Sequence, residues 1–474
     1  MMFSILYFPL LNIQSIRSWS IPTDHIVDML LDGQILTASR VLHRCSEEGG
    51  SGAHASRVLQ LVADLQVCLG MEVEAEENYQ RSQHMIRSSK RELRVTSCRN
   101  AAWQALYRYR PSTALSCFAR IIAWTEDIGL EQELEARFGM ICALYAMGRV
   151  DEVAEALGVL EERIHESPEV DELWKALIEA IRFDITVQIE MHCSNALSDH
   201  AYWRSGLDSV DGQWMQRKVP SVSPNVLRAR IEYVQKLREM MSGVYSAASS
   251  ANVHLCWACK LGMQNYQRTV RLEIAMAGLI GSVPQVAEAV LEPLHRDGQR
   301  ELTAHARLDY LYCTAKTEQA RGHIEKAWQW YSRYTLTAMQ CLRENSRLAP
   351  LPNRATKLRT PADDIDARLP VRYRRAYHFI IDNLNRSDLS ICEIAAEINL
   401  TERALQWAFR KYLGLSPTEL IRDMRMERIR EELLNEPTRN VLEVARRWGV
   451  RNCTTLLNGY RKQFHEAPSQ TLAP

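Results

Sequence analysis

Arg403, Gln406, Trp407 and Arg410 are spaced by three, one and three residues, and fifty-one positions later Thr454, Leu457, Asn458 and Arg461 repeat that spacing. On a helix of 3.6 residues per turn such positions share one face. The chemistry available there is hydrogen bonding to flat polar edges. An Arg guanidinium can fork onto guanine O6 and N7, a Gln or Asn amide onto adenine N6 and N7, and a Thr methyl can touch a thymine methyl. The candidate base readers are therefore Glu402, Arg403, Gln406, Trp407, Thr454, Leu457 and Asn458. Arg410, Lys411, Arg461 and Lys462 follow one turn later and suit phosphate oxygens, which position a reader without carrying sequence information.

Two matched helices must hold these faces. Ile394-Ala395-Ala396, Leu405, Phe409-Arg410-Lys411-Tyr412-Leu413 and Pro417 recur as Val444-Ala445-Arg446, Leu456, Tyr460-Arg461-Lys462-Gln463-Phe464 and Pro468. The offset is 50 residues at Ala395 and Ala445 and 51 from Leu405 and Leu456 onward, so the second copy carries one added residue between its helices. Ala395 and Ala445 suit close helix crossings. The i,i+4 pairs Leu405/Phe409 and Leu456/Tyr460 anchor each second helix and leave its opposite face free. Each copy reads as a helix-turn-helix unit.

Two such units in tandem, joined by a long helix from Pro417 to about Leu434, closely resemble the DNA-binding domain of AraC/XylS-type transcription regulators. The resemblance spans roughly Arg374 to Leu472. It includes Leu389-Ser390, Gly414-Leu415-Ser416-Pro417, Arg425 on the joining helix and Trp448-Gly449-Val450. Val450, Leu456 and Tyr460 stand where the family usually has Phe, and His465 where it has Gly. The resemblance implies that the units enter successive major grooves about 34 Å apart on one face of the duplex.

Ahead of these units the segment from Arg347 to Pro370 contains Pro350, Pro352, Pro361 and Pro370 and the acids Asp363, Asp364 and Asp366, which reads as a linker. The expected domains are a helical repeat region over 1–345, a Pro-rich linker over 346–370 and a DNA-binding domain over 371–474. In the first region small residues at 38, 75, 114 and 153, then 248, 287 and 327, are spaced by 37 to 40 residues within each block. A Gly precedes most of them: Gly33, Gly70, Gly148, Gly243, Gly281 and Gly322. A Gly ending one helix before a close crossing by the next is the pattern of stacked helical hairpins, and this looks like degenerate tetratricopeptide-type repeats. Residues 190 to 230 break the frame and read as a long loop, with Ser205 to Gly212, Pro220 and Pro224 as its turn formers.

Composition agrees with an all-α chain. Only 20 Gly and 16 Pro punctuate 474 residues, which argues against a β-sandwich or barrel. The net charge is zero, yet from Leu342 onward 23 Lys and Arg face 17 Asp and Glu, so the C-terminal part is basic and the rest acidic. No apolar run reaches a membrane span. Met1 to Leu11 lacks a basic flank and cleavage site, so it reads as a buried first element, and the chain is expected in the cytoplasm. Twelve scattered cysteines, Cys117, Cys142 and Cys313 among them, suit reduced thiols.

The remaining chemistry-bearing residues are bland by comparison. His254, Cys256 and Cys259 lack a second ligand pair and read as ordinary residues of a buried helix, with no metal or other cofactor expected. Arg87 to Arg99 reads as a solvated face, and Trp328, Trp330, Tyr331 and Tyr334 as repeat core. No phosphate loop, nucleophile elbow or zinc-protease motif is present, so no enzyme is expected.

The expected partners are double-stranded promoter DNA, RNA polymerase, a protein or small-molecule effector at the N-terminal region and a second copy of the chain. The layout of tetratricopeptide-like helices before an AraC-type domain resembles the HrpB/HrpX-type activators of type III secretion genes, which implies a virulence regulator. Two alternatives stay open: a helical-repeat adaptor or chaperone-responsive regulator whose main partner is protein, and a metal-responsive regulator using Cys256 and Cys259.

Overall fold

A computed structural model describes residues 3–17, 24–47, 53–86, 90–124, 129–167, 172–207, 218–296, 304–346, 365, 368–435, 440–464 and 466–468. Every regular element among them is helical. The chain divides into two units, one of residues 1–85 and 102–348 and the other of residues 86–101 and 349–474. Residues 86–101 thus group with the C-terminal part, which the sequence-derived boundaries did not anticipate.

The first unit opens with two short 3-10 turns, Phe3–Leu6 and Phe8–Asn12, that bury Ile5, Tyr7, Phe8 and Leu10. After α1 (Ile13–Arg17) come the hairpins α2/α3 (Asp24–Leu31, Ile35–Glu47), α4/α5 (Ala53–Leu69, Glu72–Met85), α6/α7 (Lys90–Tyr107, Pro111–Ala123), of which α6 belongs to this unit only from residue 102, and α8/α9 (Leu130–Ala146, Val150–His165). The long α10 (Glu172–Cys193) and short α11 (Ala201–Leu207) separate these from α12/α13 (Asn225–Met241, Ser246–Lys260), α14/α15 (Gln264–Ile280, Pro284–Arg296) and α16/α17 (Ala304–Ala320, Ile324–Ser346). The expected loop over 190–230 therefore contains the end of α10, α11 and the start of α12, because the apolar side chains Leu197, Tyr202, Trp203 and Val226 are buried there.

One turn joins the two helices in each of the seven hairpins. Its left-handed residue is Gly33, Gly70, Gly148, Gly243 or Gly322 (φ 73–85°) in five of them, Tyr109 (φ 56°) before Ala114, and Ser282 (φ 61°) before Ala287. In all seven the next residue donates its N–H to the carbonyl five positions back, over 2.7–3.1 Å, as in His323 to Glu318. These are Schellman ends, which satisfy carbonyls that a helix terminus leaves open. Five residues after each turn lies the small side chain: Ala38, Ala75, Ala114, Val153 and Ala287 are fully buried, Ala327 nearly so, and Ala248 half-buried. Gly281, offered above as the sixth turn glycine, is not left-handed (φ −74°); Ser282 takes that role. This geometry is compatible with the tetratricopeptide-like reading.

A polar network occupies the middle of this unit. Arg230 on α12 is fully buried and donates to Asp184 on α10 (Nε to Oδ2, 2.7 Å) and to Glu273 on α14 (Nη2 to Oε1, 2.7 Å). The Tyr7 hydroxyl donates to Asp184 (2.9 Å) and the Gln188 amide to Glu273 (2.7 Å). Desolvation of a charge this deep is repaid only by such complete pairing, so the network fixes α10 against the α12–α14 block.

Three surface readings change. Arg99 is buried, not solvated, although Arg91 and Glu92 are exposed; Arg87 lies outside the described residues. Cys256 and Cys259 are exposed. Tyr334 is core as expected, whereas Trp328 is 70% exposed. All twelve cysteines are free, with Cys117, Cys142 and Cys313 buried.

The second unit contains α18 (Val371–Asp382), α19 (Ile391–Glu397), α20 (Glu402–Leu413), α21 (Pro417–Asn435), α22 (Val441–Arg447) and α23 (Cys453–Phe464). One core gathers Tyr377, Ile380, Ile394, Ala395, Leu405, Phe409 and Leu413, and a second gathers Met426, Ile429, Leu433, Val444, Ala445, Leu456 and Tyr460. Helix α21 serves both, giving Leu420 and Ile421 to the first. Ile365 and Leu369 also pack into the first core. The expected linker therefore ends earlier than Pro370, because two well-spaced apolar residues amid its polar composition suffice to dock it; residues 347–364 lie outside the described residues.

Candidate nucleic-acid interface

The turns that precede α20 and α23 are built alike. Asn399 (φ 53°) and Gly449 (φ 74°) take the left-handed position, and Leu400 and Val450 donate to the carbonyls of Ala395 and Ala445, both over 2.9 Å. The 50-residue offset seen at Ala395 and Ala445 thus extends through the turns. Each element is capped from its own sequence. The Ser390 hydroxyl accepts from Glu393 N–H, Thr401 from Ala404 N–H, and the Asn440 and Asn452 amide oxygens from the N–H groups of Leu442 and Thr454. Gly414 (φ 72°) closes α20.

Buried Leu405, Ala408, Phe409 and Leu413 fix the orientation of α20, and Leu456, Gly459 and Tyr460 that of α23. A Cβ at Gly459 would sit 3.1 Å from the Met426 sulfur, so glycine lets α23 approach α21 closely. The outward faces are the ones expected. Glu402, Arg403, Trp407 and Arg410 are exposed on α20 with Gln406 half-buried, while Thr454, Asn458, Arg461 and Lys462 are exposed on α23 with Leu457 half-buried. Among the described residues none of Arg403, Arg410, Arg461 and Lys462 forms an ion pair. Their charges are uncommitted and available to an anionic partner.

Lys411 is set differently. It is half-buried, with its ammonium 4.6 Å from the Trp407 ring centroid and 5.1 Å from that of Tyr412, and burial lowers its pKa. The cation rests on one face of the indole and leaves Trp407 53% exposed.

A node between the two helix-turn-helix segments, within the second unit, escaped the sequence reading of roles. Arg425 on α21 donates from Nε to the Leu384 carbonyl (3.0 Å) and from Nη2 to that of Arg386. Its guanidinium also passes the second turn, where a Cβ on Gly449 would lie 3.1 Å from Cζ. Next to it the Trp448 indole packs against both cores and donates to Glu432 (2.8 Å). Arg425 is one of four arginines on α21, so nothing local singles it out, and its meeting with the Trp448-Gly449 turn is a tertiary fact.

Elsewhere, His254 is buried and stacks on Tyr233 with ring centroids 4.2 Å apart, while Cys256 and Cys259 face solvent. Among the described residues no three His, Cys, Asp or Glu side chains converge as a metal site, and no helix is long and apolar enough to cross a membrane.

Comparison with known proteins agrees with this geometry. A helix-turn-helix domain family matches residues 394–473. The regulatory protein HrpB of Ralstonia nicotianae is 37% identical over 457 residues, covering 91% of either chain. The XylDLEGF operon transcriptional activator 2 of Pseudomonas putida is 33% identical over 103 residues, 21% of this chain and 65% of that one. A second P. putida protein, the XylDLEGF operon transcriptional activator, is 34% identical over 103 residues, 21% of this chain and 32% of its own. No solved structure matches significantly. With HrpB matched along nearly its whole length and two helix-turn-helix units at the C-terminus, the chain belongs to the HrpB family of AraC/XylS-type, DNA-binding transcription regulators.

Proposed function

We propose that this regulator is an activator that reads promoter DNA with α20 and α23 in successive major grooves. Arg403, Gln406, Trp407, Thr454 and Asn458 meet base edges, Glu402 and Leu457 flank them, and Arg410, Arg461 and Lys462 meet phosphates, with Lys411 acting chiefly through Trp407. The observation that carries this is the pairing of two similarly built turns with two outward faces on which, among the described residues, Arg403, Arg410, Arg461 and Lys462 form no ion pair. By its likeness to HrpB, the regulated genes are those of type III secretion and virulence, and the protein works in the cytoplasm. The helical-hairpin unit receives a protein or small-molecule effector, and RNA polymerase is the target of activation. Titration of the full chain onto promoter DNA and scrambled DNA across a salt series tests the reading. Selective, salt-dependent binding is expected, and equal affinity for both DNAs would sink it.

A further inference from the structure

The last carbonyls of a helix have no partner within it and must be satisfied from outside. At its start α20 is capped by its own neighbour Thr401, but at its end the donors come from distant parts of the chain. The Tyr412 carbonyl accepts from the Ser97 hydroxyl (2.5 Å), which stands 315 residues away in sequence. The Leu413 carbonyl accepts from Arg368 Nη2 (3.0 Å), and Arg368 Nε donates to the Ser97 hydroxyl oxygen (3.0 Å). Ser97, Arg368 and the last turn of α20 therefore form one clamp inside the second unit, to which residues 86–101 belong. Ser97 is buried, and the Arg368 cation sits at the negative end of the helix dipole. Arg94 adds a second tie from the same stretch of α6. Burial raises the pKa of Asp423 on α21, opposed by the hydrogen bond and charge of Arg422 and by the charge of Arg94.

We infer that Ser97 and Arg368 are positioning residues for DNA reading, and that residues 90–101 of α6 are part of the DNA-binding apparatus. The inference rests on the reading that α20 and α23 enter successive grooves. Apolar contacts through Leu405, Phe409 and Leu413 choose which face of α20 turns inward, but they are non-directional. Hydrogen bonds aimed at the last two carbonyls are directional, and they fix where the helix stands along its own axis. The clamp grips backbone atoms only, so the side chains of Arg403, Gln406, Trp407 and Arg410 stay free to meet DNA. Helix α23 is tied separately, by Gln463 donating to the Asp423 carbonyl (3.2 Å), so loosening the clamp bears on α20 alone.

Hydroxyl-radical footprinting of full-chain variants on promoter DNA tests this, with Arg403→Ala and Asn458→Ala marking the patches that belong to α20 and α23. Ser97→Ala removes one donor from the clamp without harm to helix propensity, and Arg368→Ala removes the other. Each should raise the protein concentration needed to protect the α20 patch about two- to tenfold, the worth of one net hydrogen bond, while the α23 patch is protected as in the wild type. Because Arg368 also holds Ser97, the double variant should lose less than the product of the two single losses. Protection that weakens equally at both patches in both variants would reveal a general folding defect and overturn the inference. Wild-type protection at the α20 patch in both variants overturns it as well, and so does a double variant whose losses multiply. Failure of the underlying reading looks different: a wild-type chain that protects one patch or none sinks the two-groove reading and this inference together, whereas two wild-type patches with indifferent variants sink this inference alone.

Discussion

At the scale of single residues the reading faces and the buried network behave oppositely. The exposure of Arg403 and Asn458 was legible because the i,i+4 anchors Leu405/Phe409 and Leu456/Tyr460 leave only one face to present. Arg230 was not, since its partners Asp184 and Glu273 lie 46 and 43 residues away and no local spacing links them. Replacing Arg403 by Ala should cost roughly 1–3 kcal/mol on the cognate site and relax preference at one base pair, whereas Lys462→Ala should weaken all DNA alike and reduce the salt slope by about one. Equal losses on cognate and scrambled DNA would remove Arg403 from the readers. Arg230→Met should destabilise the hairpin unit by about 3–5 kcal/mol, because two carboxylates would remain buried without their cation. Chemical denaturation measures this, and a loss under about 1 kcal/mol would show that the network adjusts.

At the scale of elements the seven hairpins share one device, the left-handed helix end five residues before a small crossing residue. Where glycine fills the turn the sequence announces it, and the period of 37 to 40 residues followed from those positions. Tyr109 and Ser282 hide the same turn because they adopt the strained conformation without the residue type that signals it. Ser282→Gly should therefore stabilise the protein by about 0.5–1 kcal/mol, relief of strain slightly exceeding the entropy glycine adds to the unfolded chain. An unchanged or lower melting temperature would contradict this. Ala327→Leu should destabilise by roughly 1–3 kcal/mol, since Ala327 is buried on the inner side of α17. Exposed Trp328, one residue along, shows why aromatic spacing alone did not separate the core side of α17 from its outer side: both sides carry large apolar residues.

At the scale of the whole molecule the C-terminal domain was legible almost completely, because two copies of one motif check each other. Its edge was not, since Ile365 and Leu369 dock from a segment whose composition says linker. The hairpin unit also stores an acid sensitivity invisible in sequence. Burial drives the pKa of His192 and of His254 down to about 3, with nearby Arg230 adding to the effect at His254. Both stay neutral in the folded chain while the unfolded chain binds their protons below about 6.5, so stability falls as pH drops from 6.5 toward 3, each site adding up to ~1.4 kcal/mol per pH unit. His254→Gln should flatten the slope of stability between pH 6.5 and 5 by close to one proton, and an unchanged slope would show that His254 is protonated when folded.

The central claim is that one chain reads DNA with two matched helices at once. Hydroxyl-radical footprinting of the full protein on its promoter tests it most directly. The account predicts two protected patches on one face of the duplex, centred one helical turn of about 10–10.5 base pairs apart. A single patch, or protection that does not depend on sequence, would contradict it.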